Sequence, residues 1–276
     1  MCIRDRSDLD LILVCDADDF AQTSGGGKPL PADVWFGRAA RRFIGGLTAA
    51  TAEGVLYDVD TRLRPSGGAG PLVTKLSGFE SYQRETAWTW EHMALTQSHV
   101  LCGSEDLRAR IEAIIAEALA RPRDMKELSA DVAAMRERMH AHRPTRHPWD
   151  VKNGIGGLRD IEFLAQTLQL AHGGATPEIL HPRGLRETLA ALHEAAFLKT
   201  DTFDTLDAAA RDFAALRQIT GLCVAPDAAD VADATLRVML EALGLPDRAR
   251  LDRHLHDLRA GVAERFAQVA AGIDGG

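Results

Sequence analysis

Two aspartate-containing segments, each joined to a strand-like pattern, constrain this chain more than any other feature. The first is Ser7-Asp8-Leu9-Asp10, which runs directly into the apolar stretch 11–15. In the second, apolar and polar residues alternate from residue 55 to residue 63. A period of two places the apolar side chains on one face of a strand and the polar ones on the other. The sequence therefore predicts two strands, each with carboxylates on its polar face.

The spacing of these aspartates suits a metal site. Asp8 and Asp10 share one strand face, and Asp60 lies on the polar face of the second strand, with Asp58 as the weaker candidate beside it. Mg²⁺ prefers carboxylate, phosphate and water oxygens, and two such ions can neutralise a triphosphate and align an attacking oxygen. We therefore predict that Asp8, Asp10 and Asp60 are metal ligands and catalytic residues acting on a nucleoside triphosphate. The alternative is that these are solvated surface acids.

Basic and hydroxyl side chains near the aspartates are candidates for contacts with the nucleotide. Arg62 and Arg64 follow Asp60 and could meet phosphate oxygens with fork geometry, or pair with nearby acids. Ser7 adjoins the first aspartate. Lys152 precedes a predicted helix start at which free backbone N–H groups could hold an anion. We predict that these four residues bind nucleotide.

Composition narrows the class of protein. The 276 residues carry a formal net charge of −8, which disfavours nucleic acid as a partner. The four cysteines form no CxxC pair, which fits a reducing cytoplasm rather than a disulfide or zinc framework. No apolar run approaches the roughly 20 residues of a membrane span. We expect a cytoplasmic protein with no membrane partner.

The order of patterns predicts an α+β fold in two parts. A catalytic unit is expected over 7–102 and an all-α region over 103–276, with a linker near 140–150 that is rich in His, Arg and Pro. Residues 1–6 resemble a non-native leader. From residue 78 onward only helical patterns are present.

One predicted helix begins after Gly156-Gly157. Its buried side is expected to carry Leu158, Ile161, Leu164, Ala165 and Leu168, and its opposite face Arg159, Glu162, Gln166 and Gln169. The two glycines either open an anion site or form a tight turn that places Asp160 in the first helical turn. Further back, Trp88 and Trp90 either stack on a base or, as tryptophan pairs more often do, pack in a core or an interface.

Several long motifs in a fixed order resemble those of bacterial glutamine synthetase adenylyltransferase. They are 7–11, 54–70, 72–73, Phe79, Tyr82, 87–95 and 156–166. The resemblance is strong up to about residue 180. The Gly-Gly-Leu-Arg-Asp motif at 156–160 is also similar to one in the uridylyltransferases of nitrogen control.

The resemblance implies a nucleotidyltransferase unit of the DNA polymerase β type, followed by helices. Such enzymes contain one half that attaches AMP from ATP to a tyrosine of glutamine synthetase and another that removes it by phosphorolysis. The amino-acid sequence of residues 87–92 resembles that of the attaching, C-terminal half. The resemblance also implies Mg²⁺ at Asp8, Asp10 and Asp60, and regulation by PII signalling protein and glutamine.

The chain departs from the family pattern in two places. The strand–helix lead-in that precedes Ser7 in the family is replaced by residues 1–6, so we expect an N-terminally truncated unit. Gln97-Ser98-His99 stands where the family usually has Arg-Ala-Arg. Two alternatives follow: the chain removes AMP instead of attaching it, or it is an inactive fragment that only binds glutamine synthetase or PII.

Overall fold

The computed structural model describes residues 9–16, 27–55, 57–142, 149–225, 228 and 230–271. They form two compact units. The first contains the described residues up to Glu91 together with Val100–Ala118, and the second contains His92–His99 and the described residues from Leu119 onward. Ser7, Asp8 and the linker segment 143–148 lie outside the described residues. The limits 7–102 and 103–276 therefore stay predictions.

The first unit contains short strands that pair two by two. They are β1 (Leu9–Asp10), β2 (Leu13–Cys15), β3 (Ala50–Thr51), β4 (Gly54–Val55), β5 (Val59–Asp60) and β6 (Val73–Lys75). Strands β1 and β5 are parallel, β2 and β6 are parallel, and β3 and β4 form an antiparallel hairpin. The segment 9–15, predicted as one strand, is thus divided into β1, which pairs with β5, and β2, which pairs with β6.

The strand predicted from residue 55 to residue 63 was wrong as a single element. Of its described residues, Val55 lies in β4 and Val59–Asp60 form β5, whereas Tyr57, Asp58 and the residues after Asp60 are not in a strand. After Asp60 the chain enters a loop that the buried guanidinium group of Arg64 closes by donating hydrogen bonds to the Thr61 and Gly70 carbonyls. An alternating pattern cannot reveal such a contact, because it depends on where the loop returns.

Two helices of the first unit pack against strand β6. Helix α1 spans Ala32–Leu47 and α2 spans Leu76–Glu85. Helices α3 (Thr89–Leu95) and α4 (Glu105–Ala120) each begin in the first unit and end in the second. Helix α1 ends at Leu47, three residues before the β3–β4 hairpin begins at Ala50.

The second unit contains helices and no strand among its described residues. They are α5 (Met125–His142), α6 (Leu158–His172), α7 (Leu185–Glu194), α8 (Thr200–Cys223), α9 (Asp233–Leu243) and α10 (Arg248–Ala270), with a 3₁₀ turn at Pro177–Leu180. The prediction of an all-helical second region is confirmed for this part of the chain. In the ranges that the structure covers, no helix has the length and apolarity that crossing a bilayer requires.

Helix α6 is the centre of the second unit and packs against α5, α7, α8 and α10. Its predicted apolar stripe is confirmed, since all five of those side chains are buried. Gln169, predicted on the opposite face, is instead fully buried and donates from Nε2 to the Ile179 carbonyl at 2.6 Å. The 3₁₀ turn that supplies this acceptor gave no signal in the helical periodicity.

The start of α6 is a closed turn rather than an open anion site. The backbone N–H groups of Leu158 and Arg159 donate to the carbonyls of Val151 and Lys152 at 2.8 and 3.1 Å. Asp160 is buried, accepts from the Gly156 N–H at 2.7 Å, and forms a two-pronged ion pair with Arg136 of α5. The N–H groups that would have held an anion are occupied, so the tight-turn interpretation is the correct one.

Gly156 is required by two independent constraints. Its φ of +70° lies in the left-handed region, and a Cβ there would fall 2.0 Å from the Arg259 carbonyl oxygen of α10. Gly244 has a similar φ of +65° at the end of α9, but a Cβ there would meet nothing within 4 Å. The two glycines share one backbone conformation and differ in the space around them.

We therefore predict that Gly156→Ala destabilises the second unit much more than Gly244→Ala. The control should cost about 1–2 kcal/mol for the left-handed backbone. Gly156→Ala should lose a further roughly 1–3 kcal/mol from overpacking. Urea unfolding followed by circular dichroism measures both, and equal losses would contradict the close contact with α10.

Candidate active site

Asp10 and Asp60 lie side by side on neighbouring strands. They are register partners in the parallel pair of β1 and β5. Backbone hydrogen bonds of 2.8 Å from the Leu9 N–H to the Asp58 carbonyl and from the Leu11 N–H to the Asp60 carbonyl fix this register. Register partners in a sheet project from the same face, with strands about 4.8 Å apart. Two predicted metal ligands are therefore neighbours.

The two carboxylates have different surroundings. Asp10 is exposed, whereas the Asp60 side chain is only 14% exposed. Both oxygens of Asp60 accept hydrogen bonds from the Arg62 guanidinium, including 2.8 and 3.0 Å contacts from Nε, and Oδ1 also accepts the Arg62 backbone N–H at 2.8 Å. The hydrogen bonds from Arg62 hold the pKa of Asp60 below its usual value, so this carboxylate stays ionised.

Arg64 organises the loop that follows Asp60. Its Nη1 donates to the carbonyl and the hydroxyl of Thr61 at 2.6 and 2.8 Å, and its Nε and Nη2 each lie 3.3 Å from the Gly70 carbonyl. The buried guanidinium group thereby joins Thr61 to Gly70 and closes the loop between them. The contacts give Arg64 a structural task, while its predicted contact with phosphate stays a prediction.

The other residues predicted for the site are Ser7, Asp8 and Lys152. Ser7 and Asp8 lie outside the described residues. Lys152 is a half-buried residue of the second unit, and its carbonyl accepts the Arg159 N–H. Over the described ranges, no group of three or more His, Cys, Asp or Glu residues is placed to hold a metal. The pair of Asp10 and Asp60 nevertheless fits a hard cation, because both are carboxylates at adjacent register positions.

Sequence reasoning missed a hydrogen-bond network behind the loop. The Tyr82 hydroxyl of α2 donates to the Glu91 carboxylate, with Oη 2.9 and 3.0 Å from its two oxygens, and the backbone of Ser66 hydrogen-bonds to the same phenol. Glu91 Oε2 also accepts the Trp88 N–H at 2.9 Å. The network therefore joins the loop held by Arg64 to the start of α3. The spacing of Trp88 and Glu91, three residues, is that of a helix cap and could have been found.

Trp88 and Trp90 lie on the surface of the first unit. Their exposed fractions are 67% and 41%, so neither tryptophan is a core residue, while packing in an interface and stacking on a base both stay predictions. Exposed tryptophans suit contact with a ligand or another protein better than a place in the core.

The contact between Tyr82 and Glu91 leads us to predict how the pKa of Tyr82 responds to a substitution of Glu91. Burial, followed by the contact with Glu91, raises the pKa of Tyr82 above its usual value near 10. A raised pKa means that folding favours the neutral phenol, so this stabilisation is complete below pH 10 and is lost as the pH rises through the folded-state pKa. Glu91→Gln should lower the pKa of Tyr82, although burial should keep it above that of an exposed tyrosine.

Ultraviolet absorbance titration measures this directly. The chain has two tyrosines, so the experiment is performed in a Tyr57→Phe background that leaves Tyr82 as the only phenol. Glu80→Gln, on the same helix, is the control. A Tyr82 pKa that does not change in Glu91→Gln would contradict the network.

Two successive segments of the chain each match the model of a known protein family. Residues 4–114 match the family model for glutamate-ammonia ligase adenylyltransferase. Residues 123–270 match the model for GlnD PII-uridylyltransferase. The second match agrees with the similarity of the Gly-Gly-Leu-Arg-Asp motif to uridylyltransferases.

The three curated relatives compared below share one protein name. The bifunctional glutamine synthetase adenylyltransferase/adenylyl-removing enzyme of Rhodopseudomonas palustris strain TIE-1 is 42% identical over 97% of this chain and 27% of its own length. Its counterparts in Bradyrhizobium sp. strain ORS 278 and Agrobacterium fabrum strain C58 are 44% and 41% identical, over 94% and 95% of this chain and 26% and 27% of their own lengths. The chain spans about a quarter of the length of these relatives, and it belongs to the glutamine synthetase adenylyltransferase family.

Proposed function

We propose that the first unit transfers AMP from ATP–Mg²⁺ to a tyrosine hydroxyl of glutamine synthetase. The observation that carries the proposal is the pairing of Asp10 with Asp60 on adjacent parallel strands, in a chain of this family. We assign the chain to the attaching, C-terminal half of the longer enzymes. We also propose a polymerase β-type catalytic unit over 7–102, a helical region over 103–276, a cytoplasmic location, and regulation by PII protein and glutamine.

The reaction divides into tasks that these residues can perform. The tyrosine oxygen attacks the α-phosphorus of ATP, the bond to the β-phosphate oxygen breaks, pyrophosphate leaves, and the phenol proton passes to a base. Mg²⁺, when bound, neutralises the phosphates. Asp8, Asp10 and Asp60 would hold the ion. Because Arg62 lowers the pKa of Asp60, this carboxylate suits a metal ligand better than a proton acceptor.

The arginines have separate tasks. The Arg62 side chain is 77% exposed, so it can contact phosphate without disturbing a core. Arg64 would act by holding the loop, and a contact with nucleotide would come in addition. Ser7, next to Asp8, is a further proposed nucleotide contact. The backbone N–H groups at the helix start beside Lys152 are occupied, so the contact proposed for this residue of the second unit rests on its ammonium group alone.

Labelling with α-³²P ATP tests the proposal. The 276-residue chain is supplied with Mg²⁺ and unmodified glutamine synthetase, both alone and in exchange for the matching quarter of the Rhodopseudomonas relative. Asp10→Asn and Asp60→Asn should each reduce labelling roughly a hundredfold or more, because charge neutralisation by a metal contributes several kcal/mol.

The matched control is Glu53→Gln, which removes an exposed carboxylate in the β3–β4 hairpin of the same unit. It should label like the parent. Undiminished labelling in Asp10→Asn or Asp60→Asn would overturn the assignment of that carboxylate.

Removal of AMP by phosphorolysis is the second candidate, because the relatives are named for an adenylyl-removing activity as well. The same pair of carboxylates would serve a different attack, in which a phosphate oxygen bonds to the phosphorus of adenylyl-tyrosine, the bond from that phosphorus to the tyrosine oxygen breaks, the phenol takes up a proton, and ADP leaves. Adenylylated glutamine synthetase and phosphate are then supplied, and ADP is sought. ADP formation without labelling from ATP would favour removal, and labelling without ADP formation would favour attachment.

A further inference from the structure

An unusual surface occupies the outward side of α1. The inward side of this helix carries the buried Ala40, and α1 packs against β6. Trp35, Ala39 and Phe43 recur every four residues on the outward side and form an apolar row. Trp35 is 46% exposed and Phe43 is 52% exposed. The row extends about 12 Å along the helix axis.

Arginines lie alongside this apolar row. Arg38 and Arg42 are one helical turn apart next to Trp35, and Arg41 lies further round. All three are exposed, and none makes an ion pair with an acid in the ranges that the structure covers. The chain as a whole has a net charge of −8, whereas α1 carries these three arginines against one acid, Asp33. The helix is thus a local basic surface on an acidic protein.

The surface has shape as well as charge. A groove of about 610 Å³ is lined by Leu30, Trp35, Arg38, Ala39, Arg41 and Arg42. The Trp35 ring meets the Phe36 ring edge-to-face, with centroids 5.0 Å apart and planes at 88°. This contact holds the tryptophan in place, so it loses little conformational freedom on binding. Tryptophan and arginine are the residues that most often dominate protein–protein binding energy.

We propose that this α1 surface docks the protein substrate through an acidic, partly apolar patch of that substrate. The inference rests on the proposed function, which requires the unit to hold a large protein as well as a nucleotide. Three arginines that have no acidic partner among the described residues favour an acidic partner surface, and the apolar row beside them favours a protein over a small anion. Helix α1 packs against β6, which pairs with β2, and β2 follows the strand that carries Asp10. The surface therefore belongs to the same unit as the carboxylates.

Binding of unmodified glutamine synthetase to the immobilised chain tests the inference without using activity. Arg38→Glu combined with Arg42→Glu should weaken binding about tenfold or more and reduce its dependence on salt. Trp35→Ala should weaken binding by a similar factor while leaving the salt dependence unchanged. The matched control combines Arg108→Glu and Arg253→Glu, which make the same charge change at exposed positions of α4 and α10. It should bind like the parent.

The outcomes separate this inference from the proposed function. Equal binding by the parent and the Arg38/Arg42 variant, or no binding by the parent, overturns the docking surface. The labelling assay then decides separately whether AMP transfer stands. If the variant binds weakly, its KM for glutamine synthetase should rise while its KM for ATP is unchanged. Self-association that is lost in the variant, with binding to glutamine synthetase unchanged, would assign the surface to a second copy of the chain and overturn the proposal.

Discussion

The parallel pairing of β1 with β5 is the interaction on which the rest of the candidate site depends. It places Asp10 next to Asp60, and like charges at paired positions destabilise a sheet. Two features offset this cost in the structure: Asp10 is exposed to water, and Arg62 holds Asp60 with a two-pronged contact. A bound cation would offset it further. The short strands β1 and β5, which keep two acids together, are therefore suited to cation binding. The two carboxylates share one face of the pair only while Asp10 is the register partner of Asp60.

The loop after β5 shows how a short strand pair is supported from behind. The Arg64 guanidinium closes the loop by donating to backbone carbonyls of that loop, such as the Gly70 carbonyl. The Tyr82 phenol forms a hydrogen bond with the backbone of the same loop at Ser66. Glu91 then joins Tyr82 to the start of α3. Because each of these groups is at least partly removed from water, the hydrogen bonds are stronger than they would be on the surface. The segment that carries Asp60 is thus anchored at both ends without contributing a long strand to a sheet.

The sequence was informative where the cause of structure is local. The stripe from Leu158 to Leu168 follows helical periodicity, and the strand positions of Asp10 and Asp60 follow from an apolar run and from alternation, although their direct pairing does not. It failed where the cause is distant along the chain. The ion pair of Asp160 with Arg136, the bond of Gln169 to Ile179 and the turn closed by Arg64 each depend on a partner that only the folded chain brings near. For Trp88 the sequence left a core and an interface open, and only the fold shows that the side chain lies outside the core.

The central claim is that Asp10 and Asp60 together hold the metal of a bound nucleotide, and paramagnetic broadening tests it most directly. Mn²⁺–ATP is added in small amounts to protein labelled with ¹³C at the aspartate carboxyl groups. If Asp10 and Asp60 hold the metal, their resonances broaden first, together with that of the third proposed ligand, Asp8, and before those of the remaining aspartates of the first unit, and Mg²⁺–ATP restores them. Sharp Asp10 and Asp60 resonances, while other carboxyl groups broaden, would contradict it.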